Sequence, residues 1–127
     1  MELSELVTLD AHEEGSQCHL LQADGSVSDA YVVVQGPDSS AFRMARREQR
    51  TKLLEMRAKG IDLDKQDLLP LDVQFACRIV SGWGNITNNG KDIKFTAKSI
   101  KELLSKSPTN VDRILDYCGE RLNFTKG

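Results

Sequence analysis

The pattern of apolar residues predicts a β-hairpin in the first third of the chain. Residues 30–35 are dense in β-branched and aromatic side chains, which suit a pleated surface, and we interpret residues 16–36 as the hairpin. Asp24-Gly25 is a turn signal between the two runs, so we place the loop near residues 24–28. The apolar positions of residues 1–15 fit a short helix or an edge strand equally well.

A helical pattern of apolar residues then runs from about residue 38 to residue 59. Ser39 and Ser40 supply oxygen-bearing side chains for the helix start, and Gly60 supplies a stop. Basic residues fill most of the surface, because residues 38–59 hold seven Lys/Arg against three Asp/Glu in a chain of net charge -2. The apolar positions form one narrow stripe, namely Phe42, Ala45, Gln49, Leu53 and Met56.

The later patterns predict a central helix, a small turn and a pair of C-terminal helices. Two apolar seams between Leu68 and Ser81 imply a helix that is buried on most sides. Asn88-Asn89-Gly90 favours a tight turn, about which residues 83–87 and 92–95 would pair as a tiny hairpin. Thr96 is placed to cap the next helix, which ends at Ser107-Pro108.

The last helix is predicted to begin at residues 109–112, which have the form of a capping box with Asp in place of Glu. Its apolar stripe consists of Val111, Ile114, Leu115, Cys118 and Leu122. The chain of 127 residues is thus predicted to be one α+β domain, with residues 1–15 and 125–127 as candidate flexible ends. In order, it has an N-terminal β-hairpin, a long basic helix, a central apolar helix, a small turn or hairpin, and two C-terminal helices.

No residue pattern indicates catalysis, a cofactor or a metal. The sequence has none of the common phosphate-binding, hydrolase or metalloprotease motifs. Cys18, Cys77 and Cys118 are widely spaced and odd in number, which favours reduced thiols in a cytosol over a disulfide or zinc site. His12 and His19 have no zinc-ligand spacing around them. We therefore expect neither an enzyme nor a cofactor.

The partners that charge and hydropathy would suggest are also few. No apolar run approaches the roughly 18 residues of a membrane span, so no membrane partner is expected. Helix 43–59 could contact phosphate, and a small nucleic-acid-binding regulator is the alternative function. A solvated or protein-binding face is favoured instead, because no aromatic residues interleave with its basic positions and the rest of the chain is acidic.

One ordered set of motifs links the chain to a known family. An apolar helix runs into Gly82-Trp83, an Asn-rich turn follows, and Phe95 precedes the cap of the next helix. The full set is Ile79-Val80-Ser81-Gly82-Trp83, Asn88-Asn89-Gly90, Phe95-Thr96, Leu103-Leu104, Pro108 and Asn123-Phe124. This order resembles the lambda-type tail assembly chaperones of long-tailed bacteriophages, as does the strand-to-helix junction at residues 33–43. The residues after Trp83 depart from the pattern, since relatives more often place an acidic residue there.

The resemblance implies a non-enzymatic chaperone in the cytoplasm of the infected bacterial host. Such proteins bind the tape measure protein, keep its apolar helical segments soluble, and help tail tube subunits assemble around it. They are absent from the finished virion, and in many phages a frameshift adds a second domain that engages the tube subunit. We expect a homo-oligomer in which one helical surface binds the client and another binds a second copy. The candidate partner-binding residues are Phe42, Ala45, Leu53, Met56, Ile114 and Leu122, and the structural markers are Gly82, Trp83 and Phe95.

Overall fold

The computed structural model describes residues 1–125 and has a mixed α+β fold. Lys126 and Gly127, part of the predicted flexible end, lie outside the described residues. The helices are α1 (Leu9–Glu14), α2 (Ser40–Ala58), α3 (Leu69–Ile79), α4 (Ala97–Ser105) and α5 (Pro108–Gly119). The strands are β1 (Ser16–Leu21), β2 (Val27–Val34), β3 (Val80–Gly84), β4 (Thr87–Asn88) and β5 (Lys91–Asp92). Short 3-10 turns lie at Leu3–Glu5, Leu63–Lys65 and Arg121–Phe124.

The first two strands form the predicted hairpin. They pair antiparallel, from Ser16 opposite Val34 to Leu21 opposite Val27. Residues 22–26 form the loop, where Gly25 has a φ of +88°, a conformation that glycine adopts without steric cost. Alternation along β2 points Val32 and Val34 into the core, where both are fully buried. The hairpin prediction is therefore confirmed.

The central helix is shorter than predicted, and a strand follows it. We expected that helix to reach Ser81, but it ends at Ile79, and Val80 has extended backbone angles. Residues 80–84 instead pair antiparallel with β2, with Trp83 opposite Val32, and complete a sheet of order β1-β2-β3. A β-branched residue followed by Ser-Gly has low helix propensity. Pairing with β2 instead satisfies the backbone hydrogen-bonding groups of these residues.

The small hairpin after Trp83 is shorter than predicted. Only residues 87–88 and 91–92 pair, so neither Trp83 nor Phe95 belongs to it. Asn89 and Gly90 form its two-residue turn with φ values of 54° and 77°. Two positive φ values in succession are typical of the type I′ turn, whose twist matches that of the flanking strands.

The chain before β1, for which helix and strand had remained open, forms a 3-10 turn and then α1. His12 of α1 is 3% exposed, and its Nδ1 accepts a hydrogen bond from the Asp38 N–H at 2.8 Å. The Gly36 N–H donates to the His12 carbonyl at 2.9 Å. A Cβ on Gly36 would lie 2.6 Å from His12 Nδ1, so glycine permits this close approach. These contacts fasten α1 to the start of α2.

The two C-terminal helices begin and end differently from each other. Thr96 caps α4 as predicted, because its Oγ1 accepts from the Ser99 N–H at 3.0 Å. The predicted capping box at residues 109–112 is wrong, since α5 already begins at Pro108. Proline suits a first helical position because its missing N–H has no partner there in any case. The helix ends at Gly119, and Leu122 belongs to the 3-10 turn rather than to the α5 stripe.

One cluster of buried side chains joins the sheet to the helices. Its fully buried members include Val32 and Val34 of β2, Ile79 of α3, Leu104 of α4 and Ile114 of α5. The inner faces of α3, α4 and α5 therefore pack on one another and on the sheet. Cys18 and Cys118, each 1% exposed, belong to the same cluster.

Candidate partner-binding surfaces

The apolar stripe of α2 packs inward, against the body of the same chain. Ala45 is 2% exposed, and the Phe42 ring meets Phe75 of α3 edge to face with ring centroids 5.2 Å apart. Leu53 and Met56, further along the stripe, are half-buried. Of this surface, which was predicted to bind a partner, Phe42 and Ala45 are thus used in packing within the chain.

The predicted pair on the last helix is separated by the structure. Ile114 is fully buried in the core, whereas Leu122 is 76% exposed. The helix ends between them, and Phe124 turns back to pack on Tyr117 and His12 with centroid distances of 5.9 and 5.4 Å. Ile114 cannot contact a partner in this fold, while Leu122 remains available at the surface.

The three structural markers lie at the junction between the sheet and α4. Trp83, in β3, donates its indole N–H to the Ile93 carbonyl at 2.9 Å. Its ring packs edge to face on Phe95, with centroids 5.4 Å apart. Gly82 precedes it in the strand, opposite Val33 of β2. The lone tryptophan is therefore half-buried, and its contacts join β3 to the residues that precede α4.

Beside this corner, an open groove runs between α3 and α4. Its volume is about 930 Å³, within the roughly 300–1,000 Å³ of common ligand clefts. Val73, Val80 and Ile100 are buried side chains at its base, and Cys77 is half-buried between them and the solvent. Apolar lining of this kind can hold the side chains of an apolar peptide or helix.

The charged residues that line the groove are all basic. They are Lys52 of α2, Arg78 of α3 and Lys101 of α4. Arg78 is already engaged, because its guanidinium donates two hydrogen bonds to Glu48 at 2.5 and 3.1 Å. The lysines therefore dominate the rim and favour an occupant with acidic side chains beside its apolar ones.

The sequence did not predict this groove. Two apolar seams on α3 implied cover on most sides, whereas α4 leaves the side of Leu69 and Cys77 partly open. A signal was present in α4 itself. Its positions 97, 101 and 105, one turn apart, carry Ala, Lys and Ser, and all three line the groove. That small and polar side cannot close over α3 as an apolar stripe would.

The groove contains the one half-buried cysteine of the chain, which allows a direct measurement. Burial raises the pKa of Cys77, with a partly opposing effect of Lys101, and burial raises that of Cys118 to about 11. Since the thiolate is the reactive form, we expect a maleimide at pH 8 to label native protein only at Cys77. All three cysteines should react after denaturation, and Cys77→Ser should abolish native labelling. Labelling of Cys18 or Cys118 in the native protein would contradict the described packing.

Two further exposed surfaces are distinctive. The outer face of α2 carries Arg43, Arg46, Arg47, Arg50 and Arg57, all exposed. The second surface is the segment of residues 2–10, which carries acidic and apolar side chains and is here named the acidic-apolar segment. Four large apolar side chains of this segment are exposed, namely Leu3, Leu6, Val7 and Leu9. Its charged residues are Glu2, Glu5 and Asp10.

The described residues contain neither a cluster of candidate metal ligands nor a membrane-spanning helix. Within residues 1–125, no group of three or more His, Cys, Asp or Glu side chains could hold a metal ion. No helix in the same range is long and apolar enough to cross a bilayer. Comparison of the chain with family models, with curated proteins and with solved structures gives no match.

Proposed function

We propose that this protein is a bacteriophage tail assembly chaperone. It would bind the tape measure protein in the cytoplasm of the infected bacterial host and promote assembly of the tail tube without joining the virion. The ordered motifs around Gly82-Trp83 and Phe95 support the family, and the groove between α3 and α4 is the observation that carries the binding function. The tail tube subunit is a second proposed partner, reached through a longer, frameshifted form.

The groove suits a client made of apolar helical segments. An amphipathic helix buries its apolar face in such a groove through side chains spaced three or four residues apart. Because the groove is open and mostly apolar, it would hold many different segments at low affinity each. Many chaperone copies along one long client then give a stable assembly without a tight single site.

The structure supplies a matched set of variants for the test. Ala97→Glu and Lys101→Glu change exposed residues that line the groove. Lys98→Glu is the control, because Lys98 is exposed on the same helix and does not line the groove. In a pull-down with the tape measure protein, we expect the two groove variants to bind about tenfold more weakly, since Ala97→Glu would place a carboxylate against apolar side chains of the client and Lys101→Glu would reverse a rim charge that favours acidic ones. The control should bind as the wild type does.

Protection of Cys77 from maleimide gives a second measurement on the same complex. The client should slow labelling of Cys77 in the wild type and in Lys98→Glu, and should slow it less in the groove variants. Equal capture by all four proteins with no protection of Cys77 would overturn the groove as the client site. Salt-sensitive binding to DNA through the arginine face of α2 would instead support the alternative of a nucleic-acid-binding regulator.

A further inference from the structure

The acidic-apolar segment exposes four large apolar side chains within nine residues. Leu3, Leu6 and Val7 are 74%, 63% and 65% exposed. The 3-10 turn gives the segment a defined shape, which is closed by a hydrogen bond from the Glu2 N–H to Glu5 Oε2 at 3.0 Å. Clustered apolar side chains of this kind, rimmed by charge, mark interaction sites.

The segment is fastened to the fold only at its far end. The Thr8 hydroxyl donates a hydrogen bond to Asp38, which also pairs with Arg121 at 3.1 Å. Hydrogen bonds from Arg121 and Thr8 hold the pKa of the Asp38 carboxyl below its usual range, so this anchor carries a negative charge at neutral pH. From this anchor the preceding apolar residues face solvent.

The groove between α3 and α4 has the complementary chemistry. Its base is apolar and its rim carries Lys52 and Lys101, while the segment presents apolar side chains beside Glu2 and Glu5. The segment is anchored at the start of α2, and no residue of the segment lines the groove of its own chain. Within one copy, the acidic-apolar segment therefore does not occupy the groove.

We propose that the acidic-apolar segment of one copy docks into the α3–α4 groove of a second copy. The contact joins two different surfaces, so each pair leaves one segment and one groove unused, and further copies can add in the same direction. This inference uses the groove of the proposed function but does not depend on which client binds there. A client segment of the same chemistry would compete with the neighbouring copy for the groove.

A charge exchange between the two surfaces tests the contact without any client. The segment variant carries Glu2→Lys and Glu5→Lys, and the groove variant carries Lys52→Glu and Lys101→Glu. Each variant alone places like charges across the contact. By sedimentation velocity over a range of concentrations, we expect each to associate at least about tenfold more weakly than the wild type. High salt should weaken association of the wild type, because the rim charges are exposed.

Mixing the two variants gives the decisive measurement. In an equimolar mixture, lysines of one protein meet glutamates of the other at every contact, so association should return to within about threefold of the wild type. Carrying all four substitutions in one chain should restore association in the same way. A protein that had merely lost its fold would not be restored by a partner. The control pair, Lys98→Glu with Lys106→Glu, changes the same charge outside the groove and should leave association unchanged.

Several outcomes would overturn the inference. A wild-type chain that stays monomeric at all concentrations would do so, and so would variants that associate as the wild type does or a mixture that fails to restore association. These results are separate from the client test. A monomer that still captures the tape measure protein refutes only the contact between copies, whereas a self-associating chain that captures none refutes only the chaperone function.

Discussion

Replacing Ile114 by alanine is expected to lower the free energy of unfolding by about 2–5 kcal/mol. Ile114 is fully buried in the cluster that joins α5 to the sheet. Alanine would remove apolar atoms from a closely packed interior and leave a cavity that the neighbours can fill only in part. Denaturant titration followed by circular dichroism should give a lower midpoint with an unchanged slope, which identifies a loss of stability rather than a change in the compactness of the denatured state.

Leu122→Ala is the matched control for this substitution. Both residues belong to the apolar stripe that the sequence predicts for the last helix, yet Leu122 is 76% exposed in the 3-10 turn. Its replacement should change the free energy of unfolding by no more than about 0.5 kcal/mol. Losses of similar size for the two variants would mean that the stripe continues through Leu122, contrary to the described end of α5.

The second large effect is expected at Asn110, where alanine should cost about 3 kcal/mol. Asn110 is 6% exposed, and its side chain binds both backbone groups of Leu21. The Leu21 N–H donates to Oδ1 at 2.8 Å, and Nδ2 donates to the Leu21 carbonyl at 3.0 Å. A third bond joins Nδ2 to Ser107 Oγ at 2.8 Å. Each buried polar group left without a partner costs roughly 1–3 kcal/mol.

Two measurements separate this network from a general loss of packing. The amide proton of Leu21 should exchange with solvent faster in Asn110→Ala by more than the change in global stability accounts for. Thr109→Ala serves as the control, since Thr109 is the neighbouring exposed residue that the sequence indicated as a helix cap. We expect it to be nearly neutral. If Thr109→Ala proved the more damaging of the two, the predicted capping box would be right and the described helix start wrong.

Features that depend on a few neighbouring residues were predictable from the sequence. The β1–β2 hairpin follows from the β-branched run of residues 32–34 and the turn signal at Asp24-Gly25. The helix starts at Ser39 and Thr96 follow from hydroxyls that accept a backbone N–H, which the structure has at both positions. In each case the same short stretch provides both the pattern and the partner that satisfies it.

Features that depend on distant partners could not be predicted in this way. Val80 is compatible with a helix or a strand, and pairing with β2 decides between them. Asn110 resembles a residue of a helix cap until Leu21, far away in the chain, takes both of its hydrogen-bonding groups. The groove follows the same rule. An apolar seam on α3 predicts that another element buries it. The residues on the facing side of α4 determine whether that side of α3 is buried or stays open.

The order of strands in the sheet has a consequence for how the chain reaches this fold. The β1–β2 hairpin closes over residues 22–26, whereas β3 must return to β2 across residues 35–79. Closing the longer loop costs more chain entropy, so we expect β3 to dock late, after α2 and α3 have formed. Until then β2 keeps one unpaired edge, which can recruit a strand from another molecule. Docking of Val80–Gly84, the strand that contains the lone tryptophan, covers that edge of β2.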